Sequence, residues 1–213
     1  MFEIKHKKTG EILHTLDYQS LRGVTLHGID FQNADLVGLD FSGAKFHTCN
    51  FADADCHEVN FSGASFNNCL LKRAILHDAI LVDANLSDAH LDVAELKNVN
   101  AEKLIMRYAK ANNADFSGAN LKNADLSFSD LRSNFSRANL SSANLYGADL
   151  TNADLTHANL EKADMSGAKI MNAKFNFAKM AGSIGTNGMP WGAHTTKTAT
   201  KKAWWQVWRR AAV

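Results

Sequence analysis

The stretch ANLSSANLYGADLTNADLTHANL, residues 138–160, repeats one pattern every five residues. Each unit has Ala, then Asn or Asp, then Leu, then two mostly polar residues. Because side chains alternate between the two sides of a β-strand, Ala and Leu would point inward and the residue between them outward. The polar pair suits a corner. The pattern therefore predicts a short straight segment followed by a turn, many times over.

The same pattern runs through most of the 213-residue chain. Large apolar positions, the centres, recur every five residues from Leu21 to Leu131 and from Phe135 to Met180, and Leu or Phe fills 26 of these 33 centres. Ala fills 22 of the 33 positions two residues earlier. One such unit cannot bury its apolar side alone, so the units must stack on one another. The four-residue step from Leu131 to Phe135 predicts one tightened corner.

These units resemble the pentapeptide-repeat family, whose motif is roughly Ala-Asp/Asn-Leu/Phe-x-x. The resemblance covers residues 21–182. It implies an all-β fold: a right-handed quadrilateral β-helix with four pentapeptides per coil, and therefore about eight coils. At ~4.8 Å per stacked coil, such a solenoid is about 40 Å long.

The segments outside the repeats predict two terminal regions. Residues 1–20 contain two apolar-alternating runs, Phe2–Lys5 and Glu11–His14, around a Lys-Thr-Gly turn, which is typical of a hairpin. A hairpin there would cap the exposed end of the solenoid. Residues 183–213 comprise a Gly/Thr-rich linker followed by a Trp/Arg-rich segment, which predicts a C-terminal tail or short helix.

Residues 101–113 interrupt the pattern, because the centres Ala101 and Ala111 are small. The larger apolar side chains Leu104, Ile105 and Tyr108 follow helical spacing instead. One hypothesis is a short helical loop that leaves the solenoid and offers these three side chains to a partner. The alternative is a pair of weak repeats within a regular coil.

Two further sets of residues are candidates for an interaction surface. Leu70, Ile75 and Ile80 occupy the outward Asp/Asn position of three successive units, which suggests either an apolar contact surface or a modest exposed patch.

In the tail, Trp204, Trp205 and Trp208 lie among four cations, Lys201, Lys202, Arg209 and Arg210. Three interpretations remain open for this tail. It caps the solenoid or joins two chains into a homodimer, it binds a protein partner or a membrane surface, or it stays unstructured.

No catalytic motif is present in the sequence: there is no phosphate-binding glycine loop with a following Lys, no His-Glu-x-x-His and no Cys-x-x-Cys. We therefore expect no enzyme activity, no catalytic or metal-binding residues and no cofactor. The formal net charge of +1 argues against direct binding of nucleic acid. Three cysteines without metal-ligand spacing, and no signal peptide or apolar span, predict a cytoplasmic protein.

The function that this sequence favours is a non-catalytic interaction scaffold with an unidentified protein partner. The family resemblance implies an alternative, in which an acidic rod mimics DNA, binds a type II topoisomerase such as gyrase and protects it from quinolones or toxins. Residues 21–180 carry 19 acids and 15 bases, a weak excess compared with one phosphate per ~1.7 Å of DNA. A third alternative is a membrane-associated or effector protein that acts through the Trp-rich tail.

Overall fold

The computed structural model describes residues 1–192 and shows a right-handed quadrilateral β-helix. Parallel backbone pairs link Asp30 to Asn50, Asn50 to Leu70 and Leu70 to His90, each 20 residues apart, and equivalent ladders run along the other sides. The predicted coil of four pentapeptides is therefore confirmed. Most straight segments are single-residue bridges, because only the middle residue of each unit lies flat against the next coil.

Five short strands lie at the N-terminal end. They are β1 (Phe2–His6), β2 (Ile12–Leu16), β3 (Thr25–His27), β4 (Ala34–Asp35) and β5 (Lys45–His47). Strands β1 and β2 form the predicted antiparallel hairpin. Strand β1 also pairs antiparallel with β4, and β3 pairs in parallel with β5. The hairpin covers the first coil and buries Ile4 and Leu16 against the core, as expected for a cap.

The core is a column of inward side chains. The centres from Leu21 to Met165 are buried, and so are almost all of the small residues two positions earlier. Phenylalanine rings stack coil on coil, for example Phe31 on Phe51 with centroids 4.9 Å apart and Phe46 on Phe66 at 4.8 Å. Burial of this continuous apolar interior is the main stabilising contribution to the fold.

The outward Asp or Asn of a unit caps the corner that follows it. Asp115 Oδ1 accepts a hydrogen bond from the Ser117 amide at 2.9 Å, and Asn134 Oδ1 accepts one from Ser136 at 3.0 Å. The residue after the capped one then adopts a left-handed backbone, with φ near +60° in most units. This explains why Asp, Asn, Ser and Gly dominate these positions.

Of the two interpretations of residues 101–113, the helical loop is wrong and the pair of weak repeats in a regular coil is confirmed. Ile105 pairs in parallel with Asn85 and Asp125, and Lys110 pairs with His90 and Asp130, so the coil continues without interruption. Ala101 and Leu104 are both fully buried and exchange the usual large and small positions. This exchange roughly conserves the interior volume, which a close-packed core tolerates.

The predicted tightening between Leu131 and Phe135 is present as one coil of 19 residues. Asp115 pairs with Asn134, and Asp130 pairs with Asp149, each 19 residues apart. Buried serines replace alanine at this coil. The Ser133 hydroxyl donates to the Ala111 carbonyl and accepts from the Ala114 amide at 3.0 Å. Such a hydroxyl supplies partners for backbone groups that would otherwise lie buried and unpaired.

Candidate interaction surfaces

The four faces of the solenoid each carry one ladder of outward residues. We number the faces by their first centres: face 1 at Leu21, face 2 at Leu26, face 3 at Phe31 and face 4 at Leu36. Successive units turn onto successive faces, so residues five apart point in different directions. Residues 20 apart, or 19 across the short coil, stack on one another.

This geometry corrects the apolar surface proposed for Leu70, Ile75 and Ile80. The three residues belong to separate ladders on faces 3, 4 and 1. Leu70 and Ile80 are exposed on opposite sides of the solenoid, and Ile75 is half-buried between them. They therefore form three isolated apolar positions and no common patch.

The other predicted surface residues differ in their exposure and position. Leu104 is 0% exposed in the core and cannot contact a partner. Ile105 is exposed on face 2, and Tyr108 is exposed at the corner that follows face 2. Trp204, Trp205 and Trp208 lie outside the described residues.

An exposed aromatic column, formed by Tyr108, Phe128 and Tyr146, follows this corner along three coils. Their exposed fractions are 51%, 45% and 48%. The Tyr108 and Phe128 rings stack in parallel with centroids 5.3 Å apart, and Tyr146 meets Phe128 edge-on, also at 5.3 Å. The Arg107 guanidinium lies 5.6 Å from the centroid of the Tyr108 ring. Side chains of these types are enriched where proteins bind one another.

The backbone at this column has the left-handed conformation that this corner position adopts throughout the solenoid, for example also at Val93 and Phe177. Tyr108 and Phe128 have φ of 58° and 60°, at the position where most units place Gly, Asn or Asp. A bulky residue in this region costs of order 1–2 kcal/mol. One coil further on, Gly147 makes room for the Phe128 ring, which lies 2.9 Å from where a Cβ of residue 147 would be. The rings are therefore held outward at an energetic cost.

An open groove of about 420 Å³ lies beside the column on face 2. Phe128 and Tyr146 form one side of it, and its charged rim is balanced between Arg107, Lys162, Asp125 and Asp164. Asn144 and Asp164 stack in the same ladder as Ile184, which pairs with Pro190 at the end of the described chain. The groove and the chain exit therefore share a face.

The acidic face is face 4, where the charge excess of the solenoid is concentrated. Its units carry seven acids and three bases, whereas the other three faces of residues 21–180 carry 12 of each. Asp115 and Asp154 have lysine partners at 3.6 Å. None of the acids in the N-terminal half of face 4 has a Lys or Arg partner within residues 1–192. Asp55 and Glu95 pair with histidines. The full set is Asp35, Asp55, Glu58, Asp78 and Glu95.

The repeat units and their stacking match one family of known proteins. The family model described as pentapeptide repeats matches residues 20–53, 49–88, 94–133, 133–170 and 148–184, with eight copies of the repeat. The chain belongs to the pentapeptide-repeat family. No curated protein matches the chain.

Two solved pentapeptide-repeat proteins are similar to this one. Full-length QnrB1, a plasmid-mediated fluoroquinolone resistance protein, is 22% identical with a TM-score of 0.54, over 78% of this chain and 89% of that chain. HetL, a protein involved in heterocyst differentiation regulation in the cyanobacterium Nostoc, is 26% identical with a TM-score of 0.38, over 82% of this chain and 94% of that chain. The likeness to QnrB1 supports the common fold.

Within residues 1–192 of this pentapeptide-repeat protein, no group of three or more His, Cys, Asp or Glu side chains could hold a metal ion. The same part of the chain has no helix long and apolar enough to cross a membrane. The three cysteines lie in the core, where burial raises the pKa of the Cys56 thiol. Such a thiol stays protonated and unreactive.

His57 provides a titratable probe of the acidic face. Its Nδ1 lies 2.7 Å from Asp55 Oδ1, and this hydrogen bond raises the pKa of His57 above its ordinary value of 6.5. The stabilising contribution of the charged pair is therefore fully present below about pH 6.5 and is lost as the pH rises through the pKa of the folded state. We expect Asp55→Asn to lower the His57 pKa in a histidine NMR titration, whereas Asp149→Asn on face 3 should leave it unchanged.

The sequence interpretation missed the aromatic column and the acidic face. Phe128 and Tyr146 occupy corner positions, which the repeat pattern marks only as polar. Tyr108 and Phe128 are 20 residues apart, so the coil length would have placed them together. The net charge of the whole array hides the segregation, which appears only when the charges are assigned to faces.

Proposed function

We propose that this pentapeptide-repeat protein is a non-catalytic scaffold that binds a protein partner through the aromatic column. The observation that carries the proposal is the exposed stack of Tyr108, Phe128 and Tyr146 at one corner. The fold would accept Asn at both positions, as it does at Asn113 and Asn123. Three contacting rings that stay exposed at one corner support a role in binding rather than in folding.

The column also has the composition and shape of a binding hot spot. Rigid aromatic rings offer large contact area at a small cost in side-chain entropy, and Arg107 adds donors for a partner's carbonyl or carboxylate groups. The neighbouring groove gives a partner side chain a recess beside Tyr146. Because the solenoid fixes the rings in place, a partner would bind without ordering them first.

The test combines stability with capture. In a variant with Tyr108→Asn, Phe128→Asn and Tyr146→Ser, we expect the free energy of unfolding to stay within ~1 kcal/mol of wild type or to rise, because the left-handed strain is relieved. Affinity capture from the native host should lose a protein that the wild type retains.

The matched control is Phe177→Ser, which removes a ring exposed at another corner, the one that follows face 4. Capture should be unaffected in this control. If the triple variant captures the same proteins as the wild type, the column is not the binding site.

The acidic face favours a second candidate function, binding to a type II topoisomerase. A strip of acidic side chains on one face complements a positively charged DNA-binding surface. The weak net charge of the whole solenoid understates this complementarity. In a gyrase supercoiling assay with and without a fluoroquinolone, we expect the wild type to change activity. A variant with Asp55→Asn, Asp78→Asn and Glu95→Gln should lose the effect. No effect of the wild type at stoichiometric excess would contradict this candidate.

A further inference from the structure

The last coil of the solenoid ends in an open β-edge on face 4. Its Ala173 carbonyl and Phe175 amide have no hydrogen-bond partner within residues 1–192. The equivalent groups one coil earlier both bind Lys174: the Ala153 carbonyl accepts from its amide at 2.9 Å, and the Leu155 amide donates to its carbonyl at 2.8 Å. A carbonyl and an amide left open in this way form a template on which a further β-segment can pair.

The apolar interior is also incompletely covered at this end. The centres of the preceding coils are buried, whereas Ile170, Phe175 and Met180 in the last coil are only partly buried. Trp191 packs on Phe175 with ring centroids 5.5 Å apart and covers part of this surface. A segment that paired with the open edge would therefore bury apolar surface as well as satisfy backbone groups.

Three lysines surround this end, one at the outward position of each of faces 3, 4 and 1. They are Lys169, Lys174 and Lys179. The first two stack on acids of the preceding coil, since Lys169 Nζ lies 3.6 Å from Asp149 Oδ2 and Lys174 Nζ lies 3.6 Å from Asp154 Oδ2. Lys179 has no acidic partner within residues 1–192. Acid is followed by base along these ladders, so the residue that best complements the next layer is again an acid.

The other end of face 4 shows how a coil edge of this protein is covered. There strand β1 lies across the first coil and pairs antiparallel with β4, which places Lys5 opposite Asp35. The covering strand thus sets a base across from the acid that begins the ladder. The same arrangement at the C-terminal edge would set an acid across from Lys174, at the ~4.8 Å spacing of neighbouring strands.

Charge argues against occupants supplied by this chain itself. Two copies that met end to end at their last coils would bring six lysines together, and like charges opposite one another destabilise β-pairs. The N-terminal end of a second copy is already covered by its own hairpin of β1 and β2. Residues 193–213 carry five Lys or Arg residues and no Asp or Glu. The complementary charge must therefore come from another molecule.

We infer that the open edge on face 4 binds a β-strand of a partner protein that carries Asp or Glu opposite Lys174. Backbone pairing with the Ala173 carbonyl and the Phe175 amide holds the strand, and its alternate residues are apolar because they lie over the interior. The lysines select an acidic strand and keep the edge from pairing with another copy of the chain. This surface is separate from the aromatic column, so the loss of binding at one leaves the other intact.

An amide NMR titration of the full-length protein tests the inference, because it detects weak complexes residue by residue. The probe is a short synthetic peptide in which Asp and Val alternate. We expect the Phe175 amide to shift progressively as the peptide is added and to become protected from hydrogen exchange. A peptide in which Lys replaces Asp should leave this amide unshifted.

Substitutions at Lys174 separate charge from shape. Lys174→Glu should abolish the response to the Asp peptide and create one to the Lys peptide. Lys174→Gln should weaken the first response without creating the second, and it brings no like charge beside Asp154. The matched control is Lys122→Glu, at an exposed corner far from this end, which should change neither response. The amide spectrum of the core shows that each variant is folded.

The other outcomes overturn the inference. An unshifted Phe175 amide at a large excess of the Asp peptide would show that the edge does not accept such a strand. Equal responses to the two peptides, or a response to the Asp peptide that survives Lys174→Glu, would show that charge does not select the strand. Protection of this amide before any peptide is added would assign the edge to residues 193–213 in a monomer, or to a second copy if the mass is doubled.

Discussion

Phe46→Ala should lower the free energy of unfolding by about 3–5 kcal/mol. The Phe46 side chain is 0% exposed, and its ring centroid lies 4.8–6.4 Å from those of Phe31, Phe41, Phe51, Phe61 and Phe66. Truncation leaves a cavity bordered by three coils, and coils stacked on both sides cannot easily collapse into it.

Urea unfolding followed by circular dichroism measures this effect. Phe177→Ala is the matched control, because it removes the same ring from a corner where it is 78% exposed, and it should change the free energy by no more than ~0.5 kcal/mol. Equal effects of the two substitutions would contradict the assignment of Phe46 to the core.

Leu104→Asp should be the most damaging substitution in residues 101–113, with a loss of about 4 kcal/mol or more. Leu104 occupies an inward position in a continuous coil, so the new carboxylate would be buried among apolar side chains without a partner. The neighbouring Ile105 points outward, and there Asp would restore one of the two residue types, Asp and Asn, that most units carry.

Ile105→Asp is therefore a control that differs by one position along the chain. We expect it to unfold at nearly the same urea concentration as wild type, while Leu104→Asp fails to fold or unfolds at much lower urea. A projecting loop would tolerate both substitutions to the same degree, so similar midpoints would contradict the regular coil.

The sequence was sufficient to predict the repeat, its inward and outward positions and the short coil at Leu131 to Phe135. These follow from the period of five, which only a strand-and-corner unit satisfies. The period alone could not decide between a loop and a regular coil at residues 101–113, because large and small residues exchange places there. Leu104 and Ala101 depart from the repeat pattern in the linear sequence, but together they fill the interior of the folded coil.

The surfaces could not be predicted from the period alone. Leu70, Ile75 and Ile80 are regularly spaced in sequence, but each corner turns the chain onto the next face and separates them. Tyr146 lies one position before Gly147, on which Phe128 stacks, so it meets Phe128 edge-on from a neighbouring corner position. The aromatic column, the groove and the acidic face all depend on this stacking register.

Spin-label pairs test that register most directly. The native cysteines are fully buried, so nitroxide labels would attach to introduced ones. Labels at Asp125→Cys and Asn144→Cys occupy stacked positions 19 residues apart, and they should show the strong spectral broadening of labels on adjacent β-segments. The pair Asp125→Cys with Asn139→Cys, on neighbouring faces, should broaden much less. Broadening of the 125/144 pair no greater than that of the 125/139 pair would contradict the stacked register.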